Sequence, residues 1–133
     1  MELLFQNAFL IKEKSSTEKR KILVYDTSRG IAAEIKKKLS NLYEISRCLK
    51  KGDDQNINLD NYFAAIIIVN DVDDLKKIEE FNLKISHLIV SSSLKKDYFN
   101  FPNIDNLTIF DLNLTRKNTI SMFKKKLNQF ENN

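Results

Sequence analysis

A three-layer α/β sandwich is the fold this sequence predicts, and three observations predict it. Short apolar runs recur five times after residue 20. Stretches with apolar residues three and four apart separate them. The two strongest runs are apolar at nearly every position. A strand buried on both faces needs a helix layer on each side, and strand–helix alternation gives parallel strands joined by right-handed crossovers. The 133 residues are enough for one domain that buries its own core. The expected organisation is an N-terminal arm and linker over 1–20, then one domain over 21–133.

The arm places Leu4, Phe5, Ala8, Phe9 and Ile11 at helical spacing, as an amphipathic segment that packs on its own domain or meets a partner. Residues 12–20 are charged and read as a linker. KILVY is a buried first strand, closed by Asp26-Thr27-Ser28. Ser28 is placed to cap a helix whose Ile31, Ile35, Leu39 and Leu42 share a face, with Lys36 to Lys38 towards solvent. Residues 43–49 alternate and suit an edge strand, and polar residues 50–60 are a long loop or a second helix. Residues 62–69 contain Ala-Ala-Ile-Ile-Ile-Val, the strongest strand and the one expected at the centre. Asp71, Asp73 and Asp74 open a helix with Val72, Leu75, Ile78 and Phe81 inward, and acids suit the positive N-terminal end of a helix without any metal. The fourth strand is expected over 85–90, with His87 inside it and Ser91, Ser92 and Ser93 as loop and cap. A short helix or turn over 94–101 leads to Pro102, and 107–110 forms the fifth strand. Thr115 caps a last helix carrying Ile120, Phe123, Leu127 and Phe130.

Composition excludes more than it selects. One Cys, Cys48, rules out an internal disulfide framework, and Cys48 with His87 is too little for a Cys/His zinc site. Both read as packed residues. The serines have no His/Asp arrangement to activate one of them, so no nucleophilic enzyme is expected. The start lacks the basic and long apolar regions of a signal peptide, and no run reaches the length of a membrane span, so a cytoplasmic location is expected. The net charge of +4 permits an anionic partner without demanding one. The Lys runs at 36–38 and 124–126 sit on helices expected on one side of the sheet, with Arg116 and Lys117 nearby. No recognition helix or aromatic platform accompanies them, so nucleic acid is disfavoured.

From KILVYD through FAAIIIVND, SHLIVSSS and LTIFDL to the amphipathic C-terminal helix, residues 21–130 resemble the receiver domain of two-component response regulators. That resemblance implies a flavodoxin-like, five-stranded parallel sheet of order 2-1-3-4-5, with a site at the carboxyl ends of its strands. It implies phosphorelay chemistry: an Asp ending the third strand takes a phosphoryl group from a partner histidine. Mg²⁺ is held there by acids, with a Ser or Thr and a Lys contacting the phosphoryl group.

Matched residue by residue, Asp26 takes the first acidic position and Thr27 the second. The acceptor position falls on Val69, or, with a gap, on Asn70 or Asp71. Ser91 fits the hydroxyl position, and Phe110 stands where the Lys belongs, followed by Asp111 in place of Pro. Val69 cannot accept a phosphoryl group and Asn70 is a poor nucleophile. Asp71 is chemically competent, but strand residues two apart are about 6–7 Å apart, so it sits high above the usual site. Asp26 and Asp71 make at best a weak, hydrated Mg²⁺ site. Asp26 itself reads either as a cap and turn residue or as a ligand-binding acid.

The resemblance therefore implies a stand-alone, degenerate receiver, acting through protein contacts and needing no cofactor, with Mg²⁺ as an option. Its partner would be a histidine kinase, an output protein or a second copy, met through the fourth helix, fifth strand and fifth helix; the chain ends within its last helix, so no attached output domain is expected. One alternative is a phosphoacceptor using Asp71. The other rests on YDTSRG with AAEIKKKL, which looks like the phosphate loop and first helix of flavodoxins, and implies FMN or a small anion bound through Thr27, Ser28 and Gly30.

Overall fold

The computed structural model describes residues 18–92, 94, 108–111 and 116–132. The expectations for the arm over 1–17, for 95–101 and for the Thr115 cap lie outside these residues. The elements run β1 (Lys21–Tyr25), α1 (Gly30–Leu39), β2 (Glu44–Cys48), β3 (Ala64–Val69), α2 (Leu75–Asn82), β4 (Leu88–Ser92), β5 (Thr108–Asp111) and α3 (Arg116–Glu131). All strand pairs are parallel, in the order β2-β1-β3-β4-β5. β3 is central and every residue of it is buried, which is why its sequence shows no alternation.

Strand periodicity divides the core in two. Ile22, Val24, Ala64, Ile66, Ile68 and Ile89 point to the side covered by α1 and α3, where they meet Ile35, Leu39, Phe123 and Leu127. Leu23, Tyr25, Ala65, Ile67, Val69 and Val90 point the other way, against Ile78 and Phe81 of α2 and the chain between β2 and β3. Tyr25 and Phe81 meet edge to face at 6.0 Å.

Several local expectations are corrected. Residues 50–60 form neither a plain loop nor an α-helix but two 3-10 turns, Asp53–Asn56 and Leu59–Asn61. Gly52, at φ 94°, opens the first. Val72 lies in a further 3-10 turn, Val72–Asp74, and is exposed, because α2 begins only at Leu75. Leu42 is likewise exposed, since α1 stops at Leu39. β4 starts three residues later than its apolar run suggested: Ile85 is core but not strand, and Ser91 and Ser92 belong to the strand instead of a cap.

His87 precedes β4 and is sandwiched between the rings of Phe63 (5.0 Å) and Phe130 (4.4 Å). This stack stands at the amino ends of the strands, with Arg20 over the outer face of Phe63 and also 3.4 Å from Glu131. Tyr43 donates to Glu131 at 2.6 Å, tying the end of α3 to the start of β2. Burial, with that hydrogen bond added, raises the Tyr43 phenol above its ordinary range.

Candidate functional site

Parallel strands end together, so the residues that follow β1 and β3 meet above the sheet. Asp26 follows β1 and is fully buried, and by strand parity it points to the α1/α3 side. Four donors converge on its carboxylate. Oδ1 accepts from the Ser28 amide (3.1 Å), the Ser28 hydroxyl (2.6 Å) and the Asn70 side-chain amide (3.1 Å); Oδ2 accepts from the Ala32 amide (2.9 Å). A carboxylate offers about two acceptor positions on each oxygen. Three donors crowd Oδ1, and one meets Oδ2.

The expected Ser28 cap is thereby corrected. The residue flanking α1 is Arg29, with no side-chain cap bond. Asp26 reaches over it to the third helical amide, while Ser28 folds its hydroxyl back onto Asp26. Arg29 has φ 73°, a left-handed conformation that costs a non-glycine residue about 1 kcal/mol. Its amide bonds to the Asp26 carbonyl at 3.1 Å, so the same residue holds the turn from both ends.

Of the three acceptor candidates, only Asn70 brings its side chain to Asp26. Val69 points into the α2-side core. Asp71 caps the turn leading to α2: its Oδ1 accepts from the Asp74 amide (3.2 Å), while Asp74 Oδ2 accepts from the Asp71 and Asn70 amides (3.2 and 2.8 Å). The other Asp71 oxygen lies 3.9 Å from the Lys51 ammonium, which also meets Asp73 at 3.3 Å. The hydrogen bond to Asp73 and then the charge of Asp71 raise the Lys51 pKa.

Ser91 is level with Ile68 on one side and Phe110 on the other, and its buried hydroxyl has no partner among the described residues. Phe110 packs its ring on Phe123 of α3, 5.9 Å between centroids. It contributes to the α1/α3 core and to an open groove of about 310 Å³ with Met122, Lys125, Lys126 and Gln129. In the turn after β1, the Ser28 donors face Asp26, which leaves them unavailable to a phosphate. Among the described residues no group of three or more His, Cys, Asp or Glu side chains is placed to hold a metal ion.

A second polar corner, on the α2 side, was not legible in the sequence. Lys77 Nζ donates to Asp54 at 3.0 Å and to Glu80 at 3.1 Å, and lies 5.7 Å from the centre of the Tyr25 ring. Asp54 and Asp74 are both buried, and each has one carboxylate oxygen without a partner among the described residues. Burial works to lower the Lys77 ammonium, but the bonds to Asp54 and Glu80 outweigh it and the pKa is raised. Burial, helped by the Asp74 charge, pushes the Tyr25 phenol up to about 12. Burial, helped by Asp54, pushes the Cys48 thiol up to about 12, so this cysteine stays a neutral packed group. Asp54 sits in a polar stretch with no periodicity to mark it.

Neither a family model nor a curated protein sequence matches the chain. Solved structures do. A CheY-like response regulator receiver domain protein from Methanospirillum hungatei is 15% identical, with 86% of this chain and 98% of that one aligned at a TM-score of 0.62. A receiver domain protein from Bacillus halodurans is 10% identical over 82% of this chain and 97% of its own, also at 0.62. An orphan response regulator of H. pylori is 15% identical over 81% and 96%, at 0.57. The fold is that of response regulator receiver domains, with the flavodoxin-like strand order. Among the described residues no helix is long and apolar enough to cross a membrane.

Proposed function

We propose that this chain is a receiver-like signalling protein that works through protein contacts and not through aspartyl phosphorylation. One observation carries the reading: an amide, Asn70, stands against Asp26 where phosphoryl transfer needs a nucleophilic carboxylate. The physical consequence is consistent. An amide donating to Asp26 stands where a second acid would help to hold Mg²⁺, and Asp26 spends three acceptor contacts on Oδ1 and one on Oδ2 within its own fold. Phe110, turned onto α3, supplies no charge to a phosphoryl group. Asp26 then acts as a structural residue that fixes the β1–α1 turn.

The contact surface assigned to this function is the β5/α3 side. Its groove has an apolar floor of Phe110 and Met122 with Lys125 and Lys126 at the rim, which suits a protein partner or a second copy better than a small ligand. The deciding experiment is incubation with acetyl phosphate and Mg²⁺ followed by intact-mass measurement. No phosphoryl adduct is expected. A labile adduct that disappears in Asp71→Ala would overturn the reading and make Asp71, beside Lys51, the acceptor.

A further inference from the structure

The molecule's positive charge is concentrated. α1 and α3 together span 26 residues and hold eight of the 22 bases but two of the 18 acids, a net +6 against −2 for the remaining 107 residues. The two helices pack side by side on the same face of the sheet. Lys36, Lys37, Lys38, Lys124 and Lys125 are exposed, and none of them forms an ion pair among the described residues. Of the two acids, Glu131 is held by Arg20 and Tyr43. Elsewhere three lysines are paired, Lys21 with Glu44, Lys51 with Asp71 and Asp73, and Lys77 with Asp54 and Glu80, while the unpaired ones are scattered over separate elements.

We infer that the outer α1/α3 surface docks a partner protein through an acidic segment of it. Like charges crowded on one face repel one another, and a partner carrying carboxylates relieves that repulsion, attracts over long range and orients the encounter. The groove between two packed helices, whose axes lie about 8–10 Å apart, accepts a third helix. Nucleic acid fits the surface less well. The lysines occupy the last turn of α1 and the middle of α3, so no helix N-terminus stands behind them to meet a phosphate. The exposed positions among the described residues of both helices offer no aromatic ring for base stacking. The inference goes beyond the signalling reading: this surface adds Lys124 and the α1 lysines and shares Lys125 with the β5/α3 groove, and the acetyl phosphate result does not bear on it.

The test uses poly-L-glutamate as the probe, at low and moderate salt, with binding followed by fluorescence anisotropy. In one variant Lys36, Lys37, Lys38, Lys124 and Lys125 are changed to Gln. A control variant loses the same charge at Arg29, Arg47, Lys50, Lys76 and Lys84, which also lack ion pairs among the described residues. The first is expected to weaken binding by about tenfold or more, the control by about threefold or less. Equal losses would make net charge the whole cause and overturn the inference, as would absence of binding by the wild type. A DNA duplex binding more tightly than polyglutamate at equal charge concentration would overturn it in favour of nucleic acid. Should the fivefold variant fold poorly, Lys37→Glu alone, compared with Lys76→Glu, asks the same question.

Discussion

Two buried carboxylates stand at the carboxyl ends of the strands, on opposite faces of the sheet, and they are held in opposite ways. Asp26 is surrounded by four neutral donors from its own turn, from α1 and from the residue after β3. Among the described residues Asp54 is matched by one cation, Lys77, and keeps an oxygen with no partner. Neutral donors fixed by backbone position hold a carboxylate at little entropic cost and without dependence on salt. A lysine must be immobilised and desolvated to do the same. The Asp26 corner is therefore the rigid one.

Removing the carboxylate at Asp26 is the strongest way to break this contrast. Asp26→Ala strands the Ala32 and Ser28 amides and leaves the Ser28 hydroxyl and the Asn70 amide without their acceptor, and a loss of about 3 kcal/mol is expected in urea unfolding. Asp26→Asn is expected to cost nearly as much, because its NH₂ would face donors. If Asp26→Asn is neutral, the four-donor description fails. On the other face, Lys77→Met leaves the Asp54 charge buried and alone, with an expected loss of about 2 kcal/mol. Most of that loss should return in the double variant with Asp54→Asn, measured as a double-mutant cycle.

Asn70→Asp sharpens the comparison from the other side. It sets a second carboxylate against Asp26 and is expected to lower stability by about 1–2 kcal/mol, with some of it regained on adding Mg²⁺. No regain would mean that the corner has lost cation geometry as well as charge. The pH dependence follows from Tyr25 and Cys48, whose folded pKa values lie near 12 against ordinary values of 10.0 and 9.0. Their groups are bound to protons more tightly in the folded state, so their contribution is complete below about pH 9 and is lost as pH rises towards 12. Urea midpoints should fall across that window, and Cys48→Ser should shift its onset upward. The smallest effect belongs to Lys51→Gln. Its pairs with Asp71 and Asp73 are exposed, so a change within about 0.5 kcal/mol is expected.

The layers of this fold were legible because they follow from one-dimensional patterns. The unbroken apolar run at 64–69 marked the central strand, and the three- and four-residue spacings in 31–39 and 120–130 marked helices that cover one face. Position 26 was legible as a strand-end acid able to cap or to bind. Only the structure chose capping, because the third amide of α1 and the side chain of Asn70 arrive there from six and 44 residues away. The boundary of β4 was missed for a physical reason. Ile85 is apolar because it plugs the α2-side core from a turn, and the serines at 91 and 92 are strand residues although polar. The Lys77–Asp54 pair left no trace in sequence, since it joins a helix residue to an aperiodic loop.

By itself, then, the sequence determined the class of fold and the order of its elements. These are matters of composition and period. The tertiary structure decided how the remaining polar groups are satisfied: Asn70 rather than Asp71 faces Asp26, and Phe110 turns to Phe123. Those outcomes depend on which groups the parallel sheet brings level across its strands. Such juxtapositions are set by register between segments far apart in the chain, and local pattern does not encode them.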